Sequence, residues 1–120
     1  MGLESFAPIF PVSDIQRSLA HYAKLGFEVR EYVGAPYGFA TRDGVELHLG
    51  GAAEGHEHEH AHSHTAAYLR VDDADALAQE WVAAGIDVHM PVDTEWGQHE
   101  GAVIDPDGNV IRFGSPMPGQ

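Results

Sequence analysis

The chain has no cysteine, which excludes disulfides, thiolate nucleophiles and cysteine-held metals. It has no apolar run approaching the ~20 residues of a membrane-spanning helix, and no basic, apolar leader at its start. These absences set the expectation of a cytoplasmic protein without a membrane partner. Positive charge is also scarce. Six Lys and Arg stand against nineteen Asp and Glu, a formal net charge of −13 with histidine neutral. A field of that sign repels nucleic acid and anionic lipid and attracts cations, although acidity also serves solubility alone. At 120 residues, 43% of them apolar, there is material for one core or two small fused modules, not two independent domains.

What is present is one pattern stated twice. Residues 96–114 run from Trp96 through apolar Ala102-Val103-Ile104, turn chemistry at Asp105-Pro106-Asp107-Gly108-Asn109, and β-branched and aromatic Val110 to Phe113. That is a strand, a turn and a strand, the signature of a hairpin. Tyr37 to Gly50 repeats it around Asp43-Gly44. The pairs Asp43/Asp107, Gly44/Gly108, His48/Arg112 and Gly50/Gly114 all lie 64 positions apart.

Ahead of each hairpin the same programme runs. Phe6 to Val12 is apolar and extended, Ser13-Asp14 supplies an N-cap, and Ile15, Leu19, Tyr22 and Ala23 follow at helical spacing. Gly26 stops that helix, and residues 27–33 alternate like a half-buried strand. In the second copy Ala66 to Val71 is a strand, and Asp72-Asp73 starts a helix with Leu77, Trp81 and Val82 inward. Gly85 ends it and Ile86 to Met90 follows as a strand. Val12, Asp14, Tyr22, Gly26 and Val29 map onto Val71, Asp73, Trp81, Gly85 and Val88, each 59 residues later. The offset then grows to 64, which places five extra residues in a loop at about Pro91 to Glu95.

The expected fold is therefore α+β: one domain over 1–120, built of tandem βαβββ modules at about 6–50 and 65–114, with a His-rich linker over 51–64. Each module should lay one helix on one face of a small antiparallel sheet. The other faces, paired within one chain or between chains, would form a concave cavity that carries the function.

Several residues are candidates for that cavity. Trp96 is either a ligand-facing ring or a loop tryptophan packed on the core. Tyr22 and Trp81 hold equivalent helix positions and read as core. Tyr37 and Phe39 differ by two, share a sheet face, and offer rings to a flat ligand. His48 and Arg112, as repeat partners, either contact a ligand or pair with a carboxylate such as Glu46 or Glu100. Glu100 in turn either receives a ligand cation or neutralises Arg112. Between the modules, His56, His58, His60, His62 and His64 recur at period two with interleaved acids. Such a run binds zinc, nickel or copper adventitiously, or serves only as a linker.

The motifs Pro11-Val12-x-Asp14-x-x-x-Ser18, Leu25-Gly26-Phe27 and Asp105-Pro106-Asp107-Gly108-Asn109 resemble the vicinal-oxygen-chelate superfamily, across residues 6–114. That superfamily includes glyoxalase I, extradiol dioxygenases, fosfomycin-resistance enzymes and bleomycin-resistance proteins. Its enzymes hold metal with inward-facing His, Glu or Gln. By motif register those positions fall here on Ala7, His48, Ala66 and Arg112, of which only His48 is a ligand type.

The likeness is greater to the bleomycin-resistance type, through Trp96-Gly97-Gln98-His99-Glu100 followed by Asp105 to Asn109. This resemblance implies a homodimer, with the N-terminal strand exchanged, that sequesters an aromatic natural-product antibiotic without catalysis or cofactor. Tyr37 and Trp96 would stack on it, and Tyr68 would occupy a further aromatic position. The chain departs from that type in Tyr37, which replaces a phenylalanine, and in His48 and Arg112, which make the floor partly basic and suited to a carboxylate or phenolate. The alternative is a metal-dependent lyase, thiol transferase or dioxygenase of the same superfamily.

Overall fold

The computed structural model describes residues 1–34, 36–51 and 65–117. The histidine run at 56–64 therefore lies outside the described residues. Ten elements follow in order: β1 (Ile9–Val12), α1 (Ile15–Lys24), β2 (Glu28–Glu31), β3 (Tyr37–Arg42), β4 (Val45–Gly51), β5 (Ala66–Arg70), α2 (Ala74–Ala83), β6 (Val88–Asp93), β7 (Gln98–Ile104) and β8 (Val110–Pro116). This is βαβββ twice.

The local signals act as their chemistry dictates. Asp14 and Asp73 cap the helices, accepting from Arg17 N at 3.1 Å and Ala76 N at 3.0 Å. Gly26 and Gly85, 59 residues apart, both close their helices at φ +88°, a conformation that L side chains rarely adopt. The first hairpin turns on Asp43 (φ 51°) and Gly44 (φ 81°), the two positive angles that a tight β-hairpin turn requires.

The sheets differ from expectation. They run β1-β4-β3-β2 and β5-β8-β7-β6, and they are mixed rather than antiparallel, because β1 pairs with β4, and β5 with β8, in parallel. Topology requires this. The helical crossover sets the first strand parallel to the second, and two hairpin reversals then bring the fourth strand round to the same direction. The first strand also begins later than the apolar run suggested, at Ile9 rather than Phe6. Pro91 to Glu95 is not simply a loop. β6 continues to Asp93 through a register shift between His89 and Val92, so a bulge absorbs part of the insertion.

One core spans both modules and includes Phe10, Tyr22, Leu25, Leu49, Trp81, Val103 and Phe113. Tyr22 and Trp81 are core, as expected. Ala23 and Val82, expected to face inward, are exposed, while Ser18 on α1 and Ala74 and Ala78 on α2 take buried places. The modules are clasped by two reciprocal contacts between a helix and the other module's hairpin turn. Tyr22 Oη donates to Asp105 Oδ2 at 2.9 Å. In the other direction Arg42 reaches Leu25 O at 2.7 Å and both oxygens of Glu80 on α2 at 2.9 Å, and Trp81 Nε1 reaches Leu25 O at 2.9 Å.

The helices cover one side of each sheet. A Cβ on Gly38 would lie 2.9 Å from Leu19 and 3.3 Å from Ile15, so α1 lies on the Gly38 side of β3. Strand alternation then sends Tyr37 and Phe39 to the opposite face. Trp81 packs edge-on to Phe113 at 5.1 Å, so α2 lies on the Phe113 side of β8 and Arg112 points the other way. Both sheets thus present an open face. Among the described residues no helix is long and apolar enough to cross a membrane.

Candidate functional site

The candidate residues gather into two groups, one on each open face. On the first sheet, Phe39 pairs with His48 across β3 and β4, and Ile9 lies beside His48 on the other flank. Tyr37, Phe39 and His48 form an edge-to-face triangle with centroids 5.5, 5.6 and 4.9 Å apart. Tyr37 Oη bonds His48 Nδ1 at 2.9 Å, and His48 Nε2 bonds Glu46 Oε2 at 2.6 Å. A ring carrying its single proton on Nε2 satisfies both contacts, with the phenol as donor. Of the two readings of His48, the structure therefore shows the pairing with Glu46, and this pairing locks the Tyr37 ring in place.

Arg30, which is not among the sequence candidates, lays its guanidinium 4.2 Å over the Phe39 ring. The signal was present in the pairing of β2 with β3, which sets Arg30 opposite Phe39. A groove of about 330 Å³ here is lined by Glu28, Arg30, Phe39, Thr41 and Glu46.

On the second sheet, Tyr68 pairs with Arg112, which pairs with Ala102. Glu100 is the hub of this face. Its side chain is only 9% exposed and accepts from Trp96 Nε1 at 3.3 Å, with Arg112 Nη1 at 3.7 Å. Partial burial first, and then the Glu100 carboxylate, hold the Tyr68 phenol above its usual range. Tyr68 lies so close over Gly114 that a Cβ there would collide with its hydroxyl. Gly50, its repeat partner, similarly lies under Tyr37, with a Cβ meeting the ring at 3.3 Å. Each strand glycine is a bed for a tyrosine, which is the close approach that glycine inside a strand signals.

Trp96 sits in the turn between β6 and β7. Thr94 closes that turn: its N and Oγ1 donate to Gln98 O, its Oγ1 accepts from Gln98 N, and its carbonyl accepts from Gly97 N. Trp96 is 67% exposed, so it is not packed on the core.

The residues flanking His48 and Arg112 are Ile9 and Tyr68, 59 apart, whereas Ala7 precedes β1 and Ala66 pairs with Val110. Among the described residues no three His, Asp or Glu side chains come together as a metal site. Among the described residues no hydrogen bond, ring contact or ion pair joins the Tyr37 group to the Trp96 group, each of which lies on its own sheet. A cleft of about 500 Å³ between the modules is lined by Phe6, Glu46 and Leu47 of the first and by Ala66, Tyr68 and Ile111 of the second.

Fold and faces together define a tandem βαβββ scaffold whose unspent surface is aromatic and polar. The chain belongs to the Glyoxalase/Bleomycin resistance protein/Dioxygenase superfamily, matching it over residues 3–113. A bleomycin-binding protein solved in complex with bleomycin is 23% identical, with a TM-score of 0.80 over 94% of this chain and 98% of its own. The bleomycin resistance determinant encoded on the transposon Tn5 is 22% identical, with a TM-score of 0.79 over 96% and 99% of the two chains. The bleomycin-binding protein of bleomycin-producing Streptomyces verticillus, solved with copper(II)-bleomycin, is 25% identical, with a TM-score of 0.79 over 96% and 98%. No curated protein matches the chain in sequence.

Proposed function

We propose that this protein binds and sequesters an aromatic natural-product antibiotic, bleomycin-like or polycyclic, and so gives resistance without making or breaking a bond. The observation that carries the reading is the pair of open faces, each with its rings already fixed: Tyr37 and Phe39 on one, Trp96 and Tyr68 on the other. Rings held by hydrogen bonds and glycine beds lose little entropy on stacking, so most of the contact energy is kept. Solved proteins of similar fold bind bleomycin, which supports the class of ligand.

The two halves meet when a second copy lays its Trp96 face on the Tyr37 face of the first, so the working form is a homodimer. Leu3 and Phe6, almost wholly exposed ahead of β1, fit an N-terminal segment exchanged between the copies. No metal or other cofactor is needed, and the site of action is the cytoplasm.

Tryptophan fluorescence of metal-stripped protein, titrated with bleomycin and with flat polycyclic antibiotics, tests this. Saturable quenching is expected, lost in Trp96→Ala, while buried Trp81 supplies a constant background. Absence of quenching by every compound, with turnover appearing when a divalent metal is added, would turn the assignment to a metal-dependent enzyme of the superfamily. Light scattering should give twice the 13.0 kDa chain mass.

A further inference from the structure

The open faces carry unspent donors and spent acceptors. The chain has only six Lys and Arg against nineteen Asp and Glu, yet three arginines (Arg30, Arg70 and Arg112) sit on the strand positions that face outward. The carboxylates beside them are mostly committed. Glu46 is held by His48 at 2.6 Å, and Glu100 by Trp96 Nε1 at 3.3 Å. A carboxylate already accepting hydrogen bonds, and in Glu100 only 9% exposed, is a poor seat for a ligand cation.

The guanidiniums are the reverse. Arg30 has the Phe39 ring at 4.2 Å and no carboxylate within ion-pair distance among the described residues, Glu28 two positions along β2 included. Arg112 is 59% exposed, and its one acid contact, at 3.7 Å, is too long for a hydrogen bond. Arg42 shows what a spent arginine looks like in this protein: two 2.9 Å bonds to Glu80 and a third to a carbonyl. A guanidinium stacked on a ring keeps its N–H edge free, and that edge matches an oxyanion with two parallel bonds.

Resting on the binding reading above, we infer that the ligand is an aromatic anion, a flat ring system bearing a carboxylate or phenolate. Arg112 takes the acid beside the Trp96 and Tyr68 rings, and Arg30 supplies the second cationic contact from the Phe39 face. The net charge of −13 opposes any anion at long range, so the short-range bonds to these two side chains decide affinity.

Three probes sharing one ring test this on the full-length protein: 1-pyrenecarboxylate, 1-pyrenemethanol and 1-pyrenemethylammonium, titrated by fluorescence at fixed salt. The carboxylate should bind about 10-fold tighter than the alcohol, and the ammonium weakest. Arg112→Gln should weaken carboxylate binding about 10-fold and close the gap to the alcohol, Arg112→Lys should fall between, and Arg30→Gln should weaken it less. Lys24→Gln, on the far side of α1, should leave all three affinities unchanged. Equal binding of carboxylate and alcohol, or tightest binding of the ammonium, overturns the inference and leaves the binding reading standing. Failure of all three pyrenes and of the antibiotics to bind removes both.

Discussion

The two modules share a backbone and differ in what they do with it. In the first, the hairpin turn is only Asp43-Gly44, and the open face closes on itself: three rings in mutual contact, with the histidine tied to Glu46. In the second, the hairpin turn is a buried acidic knot around Asp105, and the face stays open, with Trp96 reaching Glu100 from a β6–β7 turn, where the first module's β2–β3 turn is closed by Tyr32 N to Tyr37 O. The extra residues before that turn, absorbed by a bulge in β6, account for the difference. A repeat can keep its packing face and still remake its outer one, because the two faces of a strand are independent sets of side chains.

The comparison can be broken most severely at the turns. Asp105 accepts from the Tyr22 hydroxyl, from Asn109 Nδ2 and from the amides of Asp107 and Asn109, all within 2.9 Å and buried. Burial first, then the charge and hydrogen bond of Asp105, hold the Tyr22 phenol far above its usual range. Asp105→Ala strands these donors and should cost about 3 kcal/mol or more in urea denaturation. In the first turn Asp43, the repeat partner of Asp107, is exposed, and Asp43→Ala should cost roughly 1 kcal/mol, chiefly the strain of a positive φ. Equal losses would show that the second turn is not the clasp described.

The glycine beds should differ next. Gly114→Ala drives a methyl into the Tyr68 hydroxyl and should cost about 1–3 kcal/mol, while Gly50→Ala, with 3.3 Å to give, should cost under about 1. Gly114→Ala should also displace Tyr68, seen as weakened ligand binding.

A pH profile separates the modules further. His99 on β7 bridges Asp75 of α2 and Asp93 of β6, both at 2.8 Å, and the Asp75 bond, then that of Asp93, raises its pKa above 6.5. That contribution to stability is complete below pH 6.5 and is lost as pH rises through the higher folded value. His21 on α1 acts oppositely. Burial, stronger than the pull of Asp105, lowers its pKa, so stability falls as pH drops below 6.5 toward the folded value. Thermal melts across about pH 5 to 9 should lose only the alkaline slope in His99→Gln, and a slope that persists there contradicts the bridge. The smallest effect on stability should come from Trp96→Ala, within about 0.5 kcal/mol for so exposed a ring, although it abolishes quenching by the ligand.

Much of this architecture was legible in the chain itself. The caps at Asp14 and Asp73, the stops at Gly26 and Gly85 and the Asp43-Gly44 turn are local choices, decided by side chains bonding the nearest amides and by angles that only some residues accept. The 59- and 64-residue offsets exposed the repeat, and with it the equivalence of His48 and Arg112. The candidate site was legible only as a roster. Tyr37, Phe39, His48, Tyr68, Trp96, Glu100 and Arg112 do lie on open faces, but the sequence could not say that they divide between two sheets.

Long-range docking decided the rest. Parallel pairing placed Ile9 beside His48 and Tyr68 beside Arg112. The fold of β2 onto β3 brought Arg30 to Phe39, and β7 alongside β8 filled Glu100 with Trp96 while leaving Arg112 loose. Local energetics sets where the chain turns and caps. Which acid meets which base depends on distances closed only when strands far apart in the chain lie side by side, and no single stretch of sequence contains that information.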